Sequence, residues 1–143
     1  MNLDRIVDYY QTLTPESVER LPELYSPNAY FKDPFNEVRE VAEIQRIFAH
    51  MFRQVKEPRF LITDRIAEAN GAMLAWEFSF RAHPNNNERQ TIRGVSHLKF
   101  DPDGKINFHR DYWDAAEELY SKLPIIGLLM RGLRKKLSAE KPS

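Results

Sequence analysis

The sequence predicts an α+β domain, with helices first and a mainly antiparallel sheet after them. Two observations carry this. In the first 55 or so residues, apolar side chains recur at steps of three and four, the spacing of a helix with one buried stripe. From about residue 59 they alternate with polar ones, the period of strands with two different faces, and turn-forming runs separate the segments.

Residues 3–13 carry Leu3, Ile6, Val7, Tyr10 and Leu13, a helical stripe with a polar opposite face. Thr14-Pro15-Glu16 restarts a helix with a capping residue, a proline suited to the first position and an acidic first turn. Its stripe is Val18, Leu21, Leu24 and Tyr25, with Pro22 placed to bend or break it. A first strand is expected over 28–33. A third helix is expected over about 40–56, where Val41, Ile44, Phe48, Met51 and Val55 form one face. Four strands should follow, at about 59–69, 72–82, 89–100 and 105–113. Asn70-Gly71 reads as a tight hairpin turn, residues 83–87 as a polar loop, and Asp101-Pro102-Asp103-Gly104 as the last turn. Asp114 then opens a capping-box pattern for a helix to Lys122, and 125–137 is a last amphipathic segment. One domain is expected over 1–143, with a core at 3–122 and an amphipathic, then polar, end at 123–143.

Composition narrows the function classes. Lysine plus arginine and aspartate plus glutamate are both 21, so no net basic charge supports a nucleic-acid role. The absence of cysteine excludes disulfides, thiolate nucleophiles and cysteine-ligated metals. The four histidines lack metal-like spacing, so no metal site is expected. No stretch approaches the ~20 apolar residues of a membrane span, and the first residues lack the apolar run of a signal peptide. Cytoplasmic residence is the expectation.

One short stretch stands out. Tyr30-Phe31-Lys32-Asp33-Pro34-Phe35 ends a strand-like run with a carboxylate, and Pro34 holds Asp33 extended and cannot donate to a ladder. An isolated Asp-Pro is ordinarily a turn starter. On the last strand, His109 and Asp111 are two residues apart and so share a face, as an acid–base pair or a polar anchor.

The order helix, helix, strand, long helix, four-stranded meander resembles the nuclear-transport-factor-2-like fold. Tyr25-Ser26-Pro27-Asn28-Ala29-Tyr30-Phe31-Lys32-Asp33-Pro34-Phe35 is similar to the segment of bacterial ketosteroid isomerases that ends in Asp-Pro-Phe. Phe100 with Gly104-Lys105-Ile106, and the pair Tyr112-Trp113, match further family positions, and the likeness spans 3–114. It implies a cone-shaped domain whose curved sheet wraps around N-terminal helices, and homodimeric assembly; the C-terminal helical extension expected from the residues lies beyond the likeness. It also implies cofactor-free proton transfer next to a carbonyl on a small apolar molecule, with Asp33 as base. An ungapped count places the oxyanion-donating tyrosine at Tyr9, although the helical stripe alone favours Tyr10 as the buried one. The same count puts Ser96 where the isomerases keep an aspartic acid protonated by its apolar site as a second oxyanion donor. Serine is the weaker donor, so steroid isomerisation itself is not expected. His109, Asp111 and Trp113 would face the cavity, a polar last strand more similar to those of scytalone dehydratase and SnoaL-like polyketide cyclases. The expected catalytic set is thus Asp33, Tyr9, His109 and Asp111. Ser96, Trp113, Ile92, Phe35 and Glu77 are the expected ligand contacts.

Two classes of function remain open at this point: an isomerase, dehydratase or cyclase, and a non-catalytic ligand-binding or assembly module. The run Leu123-Pro124-Ile125-Ile126-Gly127-Leu128-Leu129-Met130, followed by Arg131, Arg134, Lys135 and Lys136, also has two readings. It covers a cavity mouth or a sister subunit, or it lies on an anionic membrane surface.

Overall fold

The computed structural model describes residues 2–81 and 89–114. The polar loop expected at 83–87 and the helical segments expected after Asp114 lie outside the described residues.

Helix α1 (Leu3–Gln11) begins where the Asn2 side-chain oxygen accepts the Arg5 N–H at 3.1 Å, satisfying one of the donors a first turn leaves over. It buries Ile6, Tyr9 and Tyr10. The second helical pattern splits into a 3₁₀ turn (Ser17–Arg20) and a short α2 (Leu21–Leu24). Thr14 and Ser17 close its start reciprocally: Ser17 Oγ accepts the Thr14 N–H at 2.8 Å and Thr14 Oγ1 accepts the Ser17 N–H at 3.0 Å. The chain becomes extended immediately after α2, so strand β1 (Tyr25–Lys32) starts at Tyr25 rather than at residue 28. A two-residue strand β2 (Glu37–Val38), absent from the sequence pattern because it is too short for any period, pairs back onto β1.

Helix α3 (Val41–Gln54) packs on the sheet through Ile44 and Phe48, with Met51 partly buried beside them. The meander follows as β3 (Lys56–Glu68), β4 (Gly71–Arg81), β5 (Gln90–Phe100) and β6 (Ile106–Tyr112). The β3–β4 hairpin turns one residue earlier than expected, since Glu68 pairs with Gly71 and leaves Ala69-Asn70 as the loop. A side chain at Gly71 would stand 3.0 Å from the Leu98 carbonyl, which explains a glycine there without any turn requirement. Gly104 does meet one: its φ of 83° lies in the left-handed region, and Asp101 Oδ1 accepts the Asp103 and Lys105 N–H groups at 2.9 Å each.

The six strands form one curved sheet in the order β2-β1-β6-β5-β4-β3. Every neighbouring pair is antiparallel except β1 and β6, which run parallel. Strand parity sends Phe60, Trp76, Phe78, Ser96, Leu98 and His109 towards the helices. The opposite face carries Leu61, Ile66, Met73 and Tyr112, all exposed. Ile6, Leu21, Leu24, Phe31, Ile44, Phe48, Leu74, Leu98 and Ile106 belong to the main buried cluster. A second cluster is formed by Val55, Trp76, Phe80 and Ile92.

Burial predicts the stability ranking. Ile44 is fully enclosed (0% exposed) and Ile66 stands in solvent (73%). Ile44→Ala should cost about 2–5 kcal/mol, whereas Ile66→Ala should stay within about 0.5 kcal/mol. Urea unfolding of both variants checks this.

Candidate active site

Between α3 and the inner face of the sheet lies a cavity of about 130 Å³. Its walls are apolar: Phe31, Phe48, Met51, Phe60, Trp76, Phe78 and Ile92 are among them. Two carboxylates enter these walls, Asp33 from the end of β1 and Asp111 from β6. Phe35 and Trp113 meet at its edge with ring centres 5.7 Å apart. Asp33, Asp111 and Trp113 also border an open groove of about 710 Å³, so the carboxylates stand between the apolar interior and an outlet. Asn36, His50 and Gln54 are the other polar side chains of the cavity wall.

Asp33 owes its place to the residue after it. Pro34 cannot continue the ladder, and the chain folds back so that Asp33 N–H donates to the Asn36 carbonyl at 3.0 Å. Asp33 Oδ1 in turn accepts the Phe35 and Asn36 backbone N–H groups at 2.8 and 2.7 Å. The Asn36 amide bridges both carboxylate oxygens at 3.0 and 3.1 Å. Burial raises the Asp33 pKa above the ordinary carboxylate value; the Phe35 and Asn36 donors oppose the rise, and the charge of Asp111 adds to it.

Behind Asp111 runs a buried polar chain. Its Oδ1 accepts the Ser96 hydroxyl at 2.5 Å and meets His109 Nε2 at 2.6 Å. Ser96 Oγ accepts the Trp76 indole N–H at 2.8 Å. His109 Nδ1 lies 2.7 Å from the Tyr25 hydroxyl, which is hydrogen-bonded to that of Tyr10. Burial pushes both tyrosine hydroxyls well above their usual range, so they remain protonated. Ser96, His109, Asp111 and Tyr10 border a small gap of about 20 Å³ beneath the main cavity.

The structure thus brings together Asp33, Asp111, Trp113, Ile92 and Phe35 around one cavity, and corrects three expectations. Tyr9, expected as the oxyanion donor, lines none of these spaces, and its hydroxyl donates to the Ser17 carbonyl at 2.7 Å, where burial pushes its pKa up to about 12. The ungapped count landed one residue off the face that points inward, and the tyrosine on that face is Tyr10. Glu77, expected as a ligand contact, alternates with Trp76 and Phe78 and lies on the outer face, 3.7 Å from Arg93 and away from the cavity wall. His109 does join Asp111, but it sits behind that carboxylate and is absent from the main cavity wall. Ser96 also faces inward, with its hydrogen committed to Asp111. Tyr25 and Trp76 were missed as polar participants because an aromatic in an apolar stripe reads as packing. Among the described residues no three His, Asp or Glu side chains gather as a metal site, and no helix is long and apolar enough to cross a membrane.

A curved antiparallel sheet closed by helices over an apolar cavity, with carboxylates in its wall, defines a class of small cone-shaped pocket domains. Residues 6–109 match the SnoaL-like domain family, and the chain belongs to it. Solved structures agree at the level of the fold. An NTF2-like protein of unknown function from Exiguobacterium sp. 255-15 is 16% identical, with a TM-score of 0.66 over 78% of this chain and 97% of that one. An LEH-like epoxide hydrolase from M. tuberculosis is 15% identical, with a TM-score of 0.67 over 91% and 92%. A putative SnoaL-like polyketide cyclase from Shewanella denitrificans OS-217 is 19% identical, with a TM-score of 0.65 over 85% and 99%. A search of curated proteins finds no match.

Two predictions follow from this geometry. A Cβ on Gly94 would lie 2.4 Å from Trp76 Cη2 and 2.9 Å from the Tyr112 carbonyl. Gly94→Ala must therefore displace a packed indole, and should destabilise by about 1–3 kcal/mol and alter the near-ultraviolet circular dichroism of Trp76. The second concerns pH. Because folding raises the Asp33 pKa, the native state holds a proton that the unfolded chain releases, so this residue's contribution to stability falls as pH rises from the ordinary aspartate value through the raised one. Asp33→Asn should remove that loss. Melting temperatures of wild type and variant should converge in acid and separate at neutral pH, with the variant higher.

Proposed function

We propose that this protein is an acid–base catalyst acting on a small, largely apolar carbonyl compound. The observation that carries the reading is the presence of two carboxylates, Asp33 and Asp111, in the wall of one apolar cavity. An apolar space of this size suits about one small ring, and the adjoining groove leaves room for a substituent. Asp33 is the base. Its raised pKa makes it a stronger proton acceptor than an exposed aspartate. It removes a proton from the carbon next to the carbonyl; the C–H electron pair moves into the enolate, whose oxygen is met by the N–H groups of Gln54 or Trp113 in the wall. Asp111, the second carboxylate, exchanges a proton with another atom of the same molecule, as an isomerisation, dehydration or cyclisation requires.

Phenylacetone, a one-ring ketone with acidic benzylic protons, is a direct probe. In D₂O the wild-type protein should speed loss of its benzylic ¹H signal over buffer, and Asp33→Asn should reduce that acceleration by ~10² or more. A second reading, a ligand-binding module, is favoured by one observation: Tyr9 and Ser96, the expected oxyanion donors, are committed elsewhere. Phenylacetone that perturbs amide shifts of the cavity residues without gaining deuterium would establish that reading instead.

A further inference from the structure

We propose that Tyr25 and His109 are positioning residues, the links of a one-way chain of donors that holds one oxygen of Asp111 and turns the other to the cavity. The inference rests on the reading of Asp111 as an acid–base group of that cavity. Both contacts to Asp111, from Ser96 and from His109, fall on Oδ1. Oδ2 has no hydrogen-bond partner among the described residues, and Asp111 borders the main cavity while His109 does not. Whatever His109 does to a ligand there, it does through Asp111.

The direction of the chain follows from counting hydrogens. Trp76 can only donate, so Ser96 accepts from it and spends its own hydrogen on Asp111. On the other arm the Tyr10 hydroxyl bonds that of Tyr25, which lies 2.7 Å from His109 Nδ1, while the Tyr10 hydroxyl itself stands farther off at 3.5 Å from that nitrogen. If the hydrogens run towards Asp111, Tyr10 donates to Tyr25, Tyr25 to His109 Nδ1, and His109 Nε2–H to Asp111, and every hydrogen finds an acceptor. If they run the other way, Nδ1 carries a hydrogen and donates to Tyr25, Tyr25 donates to Tyr10, and the Tyr10 hydrogen has no acceptor among the described residues. Tyr10 and Tyr25 are buried, where an unmatched donor is rare. The first arrangement is therefore the one assigned, with His109 in the tautomer protonated at Nε2. Each link stands on a different element (α1, β1 and β6), so the chain also ties the first helix and first strand to the last strand at the carboxylate.

The test uses side-chain NMR on the full chain. In wild type at neutral pH, His109 should show a protonated Nε2 and an unprotonated Nδ1. Tyr25→Phe removes one hydroxyl and keeps the ring; it should introduce the Nδ1–H form and move the Asp111 ¹³Cγ signal. His109→Gln places an amide N–H where Nε2–H was, and His109→Leu places none. The glutamine variant should keep phenylacetone exchange within about tenfold of wild type while the leucine variant loses ~10² or more, a split that a purely packing role would not give. A wild-type His109 protonated at Nδ1 with bare Nε2, or an Asp111 ¹³Cγ signal identical in wild type, Tyr25→Phe and His109→Leu, overturns the proposal. If wild type fails to exchange phenylacetone at all, the acid–base reading falls, and the NMR spectra still decide whether the chain positions Asp111.

Discussion

The carboxylate of Asp111 is set into the wall of an apolar cavity, where an ion without donors is too costly to keep. The polar part of the interior is arranged around that requirement. Ser96 and His109 supply donors directly, and Trp76 and Tyr25 supply those donors with partners of their own. A network of this kind is an asset only when all its members are satisfied. Its members accordingly come from α1, β1, β4, β5 and β6 and not from one local turn: two donors reach the Asp111 oxygen, and each needs a partner from another element.

The same requirement reaches into packing. Trp76, which donates to Ser96, has its indole packed close against Gly94, where a side chain would collide with it. The cavity wall and the support of Asp111 are therefore one piece of structure. Asp33 is held differently, by a loop of its own neighbours, Phe35 and Asn36, with no help from the far strands. One carboxylate is fixed by tertiary structure and the other by a local turn. Changes in the sheet should consequently disturb Asp111 and leave Asp33 in place.

Much of this was legible in the sequence wherever a period runs long enough. The stripe of α3 and the alternation of β4 and β5 gave both the elements and their inward faces. The likeness around Asp33-Pro34-Phe35 pointed to a carboxylate that does stand in the cavity wall. What failed did so for physical reasons. β2 is two residues long, shorter than any period. The count that chose Tyr9 fixed a position along α1 but not its rotation, and one residue along a helix turns a side chain by about 100°. The stripe Leu3, Ile6, Val7, Tyr10 held that rotational information. Glu77 was a lapse of parity, since its neighbours Trp76 and Phe78 already claimed the inner face. Tyr25 was hidden because its ring packs like any core aromatic, and only the third dimension shows that its hydroxyl meets His109.

The pairing of β1 with β6 explains why two carboxylates meet at all. These strands are the first and last long strands of the sheet and its one parallel pair, with Phe31 opposite His109 and Lys32 opposite Arg110. One step further in that register would set Asp33 beside Asp111, on strands spaced about 4.8 Å apart. The ladder stops at that step. Pro34 has no N–H to continue it, and the Asp33 N–H turns away to Asn36. Two like charges at adjacent strand ends repel, and the break lets Asp33 lean on its own loop while Asp111 stays on the network behind it. The proximity persists as the contribution of Asp111 to the raised pKa of Asp33. A meander alone, with antiparallel neighbours throughout, would not place the end of the first strand next to the end of the last. The parallel pairing does so, beside the residues that border both the cavity and the groove.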